Sequence, residues 1–213
     1  MGSTFHETAL RAVNEAIVTL GQDLVLTELS ETSEDVNSRK AAYVYESARL
    51  KVLRDHNWNF ARREQTCCGC TGPDYGGEFG WRMPLPGGCV RLLMCYGEDG
   101  EEVKYMLFSR EIRASAPISR IVYTHNTQDL SRWSPDAYRA LVLRLAADLA
   151  KPITGRINER QLQEQAYNEQ LAAAKLADAR ESNVMEDAWG GNHYVEQMRR
   201  GRRCGRPDFG HYR

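Results

Sequence analysis

Residues 134–156 read SPDAYRALVLRLAADLAKPITGR. The stretch opens as a helix should. Ser134 can cap the first turn, and Pro135 takes the first helical position, where its missing N–H would have no partner in any case. Trp133 before the cap and Tyr138 in the first turn form a hydrophobic staple. Tyr138, Leu141, Leu145 and Leu149 recur at helical spacing and predict a buried stripe. Lys151-Pro152 then interrupts the pattern, which resumes from Ile153 to about Glu181. A proline inside a helix costs about 3 kcal/mol, because it removes a hydrogen bond and its ring meets the carbonyl four residues back. Lys151, Pro152 and Gly155 are therefore hinge candidates between two helices. The second helix is thinly apolar, with Ile157, Leu162, Tyr167, Leu171 and Leu176 among Ala, Gln and Glu. Such a helix lies on a surface or packs against a neighbouring subunit.

The chain upstream of this stretch predicts two more helices. Thr4 and Glu7 make a capping box, and Leu10, Val13, Ile17 and Leu20 follow at helical spacing. Gly21 stands where a helix usually stops. Thr32-Ser33 opens a second helix, with Glu34 and Asp35 in its first turn, running to about Arg54. Val36, Ala41, Val44, Ala48 and Val52 lie near one face of it, while Arg39, Lys40, Arg49 and Lys51 are expected in solvent. Trp58 and Phe60, two apart in DHNWNFARRE, are expected to fold back onto the core.

Between the helical halves the character changes. Residues 69–80, GCTGPDYGGEFG, form a glycine-rich loop without the pattern of a phosphate-binding loop. GCVRLLMCY and EVKYMLF flank GEDGE, which reads as a hairpin. EIRAS and SRIVYTH flank a second turn, APIS. The fold class expected is α+β, mainly α: an antiparallel helical bundle with a small inserted antiparallel β-sheet. The helices occupy 1–60 and 134–181 and the β insertion about 61–125. Residues 182–213 are expected to be an extended C-terminal arm, since they have scattered aromatics, many glycines and no core of their own.

The 213 residues, 42% hydrophobic and 27% charged, suit one domain with an extension. A formal net charge of −1 does not itself call for nucleic acid or a membrane. No run is apolar enough to span a bilayer, and Met1–His6 lack the basic and apolar regions of a secretion signal, so a cytosolic site of synthesis and use is expected. The six cysteines, Cys67, Cys68, Cys70, Cys89, Cys95 and Cys204, are expected as thiols. CCGC has no second cysteine pair at zinc spacing and only His56 nearby, so no metal and no cofactor is assigned. None of the five histidines falls in a catalytic motif, and a non-enzymatic protein is expected, although a pair such as Cys67 and His56 could meet in space.

The ordered series WNFARRE, PLPGGCVRLL, ISRIVYTHNTQDLSRWSPDAYRALVLRLAADLAKPITG and a long Ala/Gln helix resembles the head-to-tail adaptor proteins of tailed bacteriophages, called tail tubular protein A in short-tailed phages. The resemblance covers about residues 7–181. It is most specific over 133–155, through Trp133, Pro135, Ala140, Leu141, Leu145, Ala146, Leu149, Ala150, Pro152, Ile153, Thr154 and Gly155. Gly88, where an aspartate is common, and Tyr138, in place of phenylalanine, depart from the pattern. The resemblance implies a homo-oligomeric ring, usually a dodecamer, in the virion neck beneath the portal protein, assembled in the host cytoplasm. Such a ring extends the channel for genomic DNA and docks a downstream tail or nozzle protein. It also implies that the loop bearing Asp74, Tyr75 and Phe79 faces the tail, and that the arm reaches the portal. The arm's own residues suit a binding segment: Arg199, Arg200, Arg202, Arg203, Arg206 and Arg213 interleave with Trp189, Tyr194, Phe209 and Tyr212. The same chemistry suits nucleic acid, so a nucleic-acid-binding module is the alternative.

Overall fold

The computed structural model describes residues 3–67, 70–72 and 77–181. Helix α1 spans Ser3–Thr19, starting before the Thr4 cap that the sequence suggests. It ends as expected at Gly21, whose φ of 68° lets Gln22 N–H reach back to the Ile17 carbonyl at 3.3 Å. Helix α2 spans Val36–Asp55. Asp35 belongs outside the first turn: it is the cap, accepting from the Asn37 N–H at 3.0 Å.

The buried stripe of α2 is rotated from the one periodicity predicts. It comprises Ser38, Ala41, Ala48, Arg49, Val52 and Leu53, while Val36 is exposed. Arg49, expected in solvent, is fully buried. Its guanidinium finds enough acceptors to make that tolerable: both carboxylate oxygens of Glu46 at 2.6 and 3.1 Å, Asn126 Oδ1 at 2.6 Å and the Thr127 carbonyl at 3.0 Å. The last two partners lie some 80 residues downstream, beyond what a local pattern can register.

Helix α3, Pro135–Leu149, sits at the centre of the helical half. Ser134 caps it by accepting from the Ala137 N–H at 3.4 Å. The predicted Leu141, Leu145 and Leu149 are fully buried, but so are Ala137, Ala140, Val142 and Ala146. A helix that is apolar on nearly all sides must be surrounded. Here α1, α2 and α4 (Ile157–Glu181) each pack against it. Trp58 and Phe60 do fold onto this core: their rings stack at 5.8 Å and Phe60 meets Trp133 at 5.1 Å. The turn carrying them, Asn59–Ala61, is 3-10 rather than extended.

The β region contains two three-stranded antiparallel sheets, not one. Its strands are β1 (Arg62–Thr66), β2 (Trp81–Pro84), β3 (Cys89–Tyr96), β4 (Tyr105–Phe108), β5 (Glu111–Ala114) and β6 (Arg120–His125). One sheet has the order β1-β6-β3 and the other β2-β5-β4. GEDGE does form a tight turn, with Gly97 N–H on the Glu101 carbonyl at 3.0 Å and an isolated bridge between Tyr96 and Glu102. The chain then leaves β3 and enters the other sheet. APIS likewise joins strands of different sheets. The hairpin actually present is β4–β5, whose register closes Phe108 on Glu111 around Ser109, with a φ of 59°. A serine in that conformation gives no turn signal of the glycine or asparagine kind. A second apolar cluster fills this region, led by Leu92, Cys95, Ile112, Ile118 and Ile121.

Candidate interaction surfaces

The break at Pro152 is built as a wide turn. After Leu149 the chain makes a π-helical turn over Ala150–Thr154, then Gly155 adopts φ 71° and α4 begins. The π turn absorbs the bond that Pro152 cannot donate. Side chains tie it down: Thr154 Oγ1 donates to the Ala150 carbonyl at 2.6 Å and accepts from the Arg156 N–H at 3.1 Å. Lys40, on α2, donates from Nζ to the Pro152 carbonyl at 2.9 Å. Of the hinge candidates, Lys151 and Pro152 are exposed on the turn and Gly155 supplies its left-handed exit. Lys40 is a member that the sequence reading assigns to solvent, because its acceptor is 112 residues away.

Helix α4 returns along α3 in the opposite direction, as Gln170 to Asp136 and Arg144 to Glu164 contacts require. Its buried stripe is Gln163, Tyr167, Leu171, Ala174 and Asp178. Tyr167 donates from its hydroxyl to Asp55 Oδ2 at 2.6 Å, and burial together with that bond raises the phenol's pKa. Asp178, also buried, accepts from the Asn59 N–H at 3.2 Å and lies 3.0 Å from His56 Nε2. These bonds fasten the C-terminal half of α4 to the end of α2. Of the five apolar residues that make this helix only thinly apolar, Leu162 and Leu176 point outward and are 60% and 62% exposed. With Ala172 and Ala173 they lie on the side of α4 away from α3, which between the two leucines also carries Gln165 and Glu169, bonded to each other at 3.0 Å.

A different surface lies at the far side of the β region. Strand β4 is the edge of its sheet, and Met106, Leu107 and Phe108 are 46%, 51% and 57% exposed in succession. Arg113 on β5 stands 4.3 Å from the Phe108 ring centroid, a cation–π contact. At the chain segment leading into β4 opens a groove of about 600 Å³, with Glu78, Glu98, Asp99, Glu101 and Glu102 on its walls against one lysine, Lys104, among the described residues. None of these carboxylates forms an ion pair among the described residues. A smaller hollow lined by Phe79, Glu102 and Tyr105 carries the groove onto the start of β4. The charge run in GEDGEE was visible in the sequence; that it flanks an apolar edge strand was not.

The remaining candidates divide as follows. Phe79 is half-buried beside β4, while Asp74 and Tyr75 lie outside the described residues. So does every arm residue singled out above: Trp189, Tyr194, Arg199, Arg200, Arg202, Arg203, Arg206, Phe209, Tyr212 and Arg213. Cys67, Cys70 and Cys95 approach one another around Ile118, with Cys70 Sγ 3.3 Å from the Ile118 carbonyl. Burial, reinforced by Cys67 and Cys70, pushes the Cys95 thiol up to about 12, which keeps it protonated and a poor nucleophile. Among the described residues no cluster of three or more His, Cys, Asp or Glu could hold a metal ion, and no helix is long and apolar enough to cross a membrane. The sequence matches no protein family model and no curated protein.

Proposed function

We propose that this chain is a structural, non-enzymatic head-to-tail adaptor of a tailed phage virion. In that role its four helices form an antiparallel bundle within a ring, usually of twelve copies, in the neck beneath the portal protein. The ring would extend the channel through which genomic DNA passes, without sequence preference. Its β loops would dock the downstream tail or nozzle protein, and the arginine–aromatic arm would bind the portal. One observation carries the reading: the segment of most specific resemblance, 133–155, ends in a tied turn that gives α4 two faces. One face, with Tyr167, Leu171 and Ala174, is buried on α3; the other holds Leu162 and Leu176 in solvent beside the bonded pair Gln165 and Glu169. A helix that is seated in its own subunit and still exposes leucines on a mixed outer face suits packing between copies.

The deciding experiment is electron microscopy of the full chain mixed with the portal protein encoded in the same genome, beside the chain alone. A new ring of density under the portal supports the adaptor reading. Absence of added density, together with DNA binding in a parallel mobility-shift assay, favours the nucleic-acid module. Deleting residues 183–213 tests the arm separately: undiminished portal binding by the shortened chain would refute its role there.

A further inference from the structure

We propose that the β4 edge and its acidic groove hold the chain's own arginine–aromatic segment, residues 199–213, in the free protein. Three successive apolar side chains, Met106, Leu107 and Phe108, stand half-exposed on an edge strand. Folded proteins normally cover, charge or shorten such an edge; β4 is short, at four residues, but its three apolar side chains stay uncovered. The adjoining groove has the opposite problem: five carboxylates face one lysine, with no ion pair among the described residues to balance them. A one-signed cleft of this kind concentrates counter-charge. The occupant that satisfies both surfaces at once is cationic and aromatic. Residues 199–213 carry six arginines and one aspartate, with Phe209 and Tyr212 between them. The Phe108 ring already carries one guanidinium, that of Arg113, so this aromatic site is suited to arginine.

Reach is sufficient. The 18 residues from Glu181 to Arg199 span up to roughly 60 Å when extended, against a radius of gyration of about 16 Å for a domain of this length. Tethering also favours the chain's own arm over a second molecule's, since a short linker sets an effective concentration in the millimolar range. The proposal extends beyond ring assembly and does not depend on it. It assigns the arm a resting site on its own subunit, whatever partner the arm later engages.

The test uses the full chain with Phe209→p-benzoylphenylalanine, irradiated at low concentration and mapped by mass spectrometry. Benzophenone inserts readily at methionine, so the expected product is a monomer cross-linked at Met106 or its β4 neighbours. Glu101→Lys with Glu102→Lys, both in the exposed turn, should lower the yield roughly tenfold, because like charges then face each other across the contact. Arg202→Glu with Arg203→Glu should do the same while leaving the folded surface untouched. Raising the salt from about 0.1 M to 0.5 M should reduce the yield as screening shortens. Cross-links confined to other elements, a cross-linked dimer as the main product, or a yield unchanged by both charge reversals would each overturn the proposal. Portal binding is read separately by microscopy, so failure of one reading leaves the other intact.

Discussion

Gly88 opens β3 beside the end of β6, where Asn126 N–H donates to its carbonyl at 2.7 Å. Its φ is 74°, and a Cβ built there would stand 2.8 Å from His125 Cε1. Both facts disfavour a side chain at this position. We expect Gly88→Asp to cost about 1–3 kcal/mol, combining left-handed strain with displacement of the histidine ring, and to lower the thermal midpoint accordingly. An unchanged midpoint would show that the ring moves aside freely. His125 itself is sensitive to acid. Burial, then the nearby Arg63, holds its pKa below the ordinary imidazole value. The unfolded chain therefore binds the proton more tightly. The stability this group contributes is complete above the unfolded pKa of about 6.5 and is lost as pH falls through that value towards the folded one. The difference in thermal midpoint between wild type and His125→Asn should change sign-consistently between pH 7.5 and pH 5, with the wild type losing more on acidification. A difference that stays constant with pH would remove His125 from the account.

At the scale of elements, what was legible depended on whether the deciding contacts were local. The caps at Ser134 and Gly21, and the stripe of α3, are written within a few residues and fold as the sequence indicates. The strands exist where their composition places them, but their partners do not follow from sequence order. β6, with Ile121, Val122, Tyr123 and Thr124 all buried, is paired along both edges, taking β1 and β3 as neighbours and leaving β5 to another sheet. Arg49 and Lys40 fail the same way: each looks solvated until a distant carbonyl is folded against it. The π turn between α3 and α4 gives an element-level prediction. Gly155 has φ 71° and open space around its missing side chain. Gly155→Ala should therefore cost only the backbone term, about 1 kcal/mol. That is less than Gly88→Asp, where a steric clash is added. Equilibrium urea unfolding of the two variants should rank them in that order; equal losses would mean that Gly155 is held by more than its φ.

On the proposed adaptor reading, copies and partners would meet through surfaces that the folded subunit leaves exposed. The helical half is closed around α3 but exposes Val18, Val25, Val36 and Tyr43 on its N-terminal elements, and α4 keeps Leu162 and Leu176 in solvent on the side away from α3. A monomer gains nothing from them. Their replacement is therefore a clean probe: Leu162→Glu with Leu176→Glu removes exposed apolar surface and adds charge at helix positions where glutamate is a good former. Away from the core such changes usually move stability by less than about 0.5 kcal/mol each, so the melting curve of the free chain should be almost unchanged. Assembly should respond differently. If α4 packs between neighbouring copies in a ring, each copy buries two carboxylates in an apolar seam. Occupancy under the portal, counted from particles with and without the ring, should then fall by roughly tenfold or more, since an unpaired charge in an interface costs several kcal/mol per contact. A variant that melts like the wild type and still fills the ring would place the outward face of α4 outside the interface, and the packing between copies would have to be sought on other surfaces.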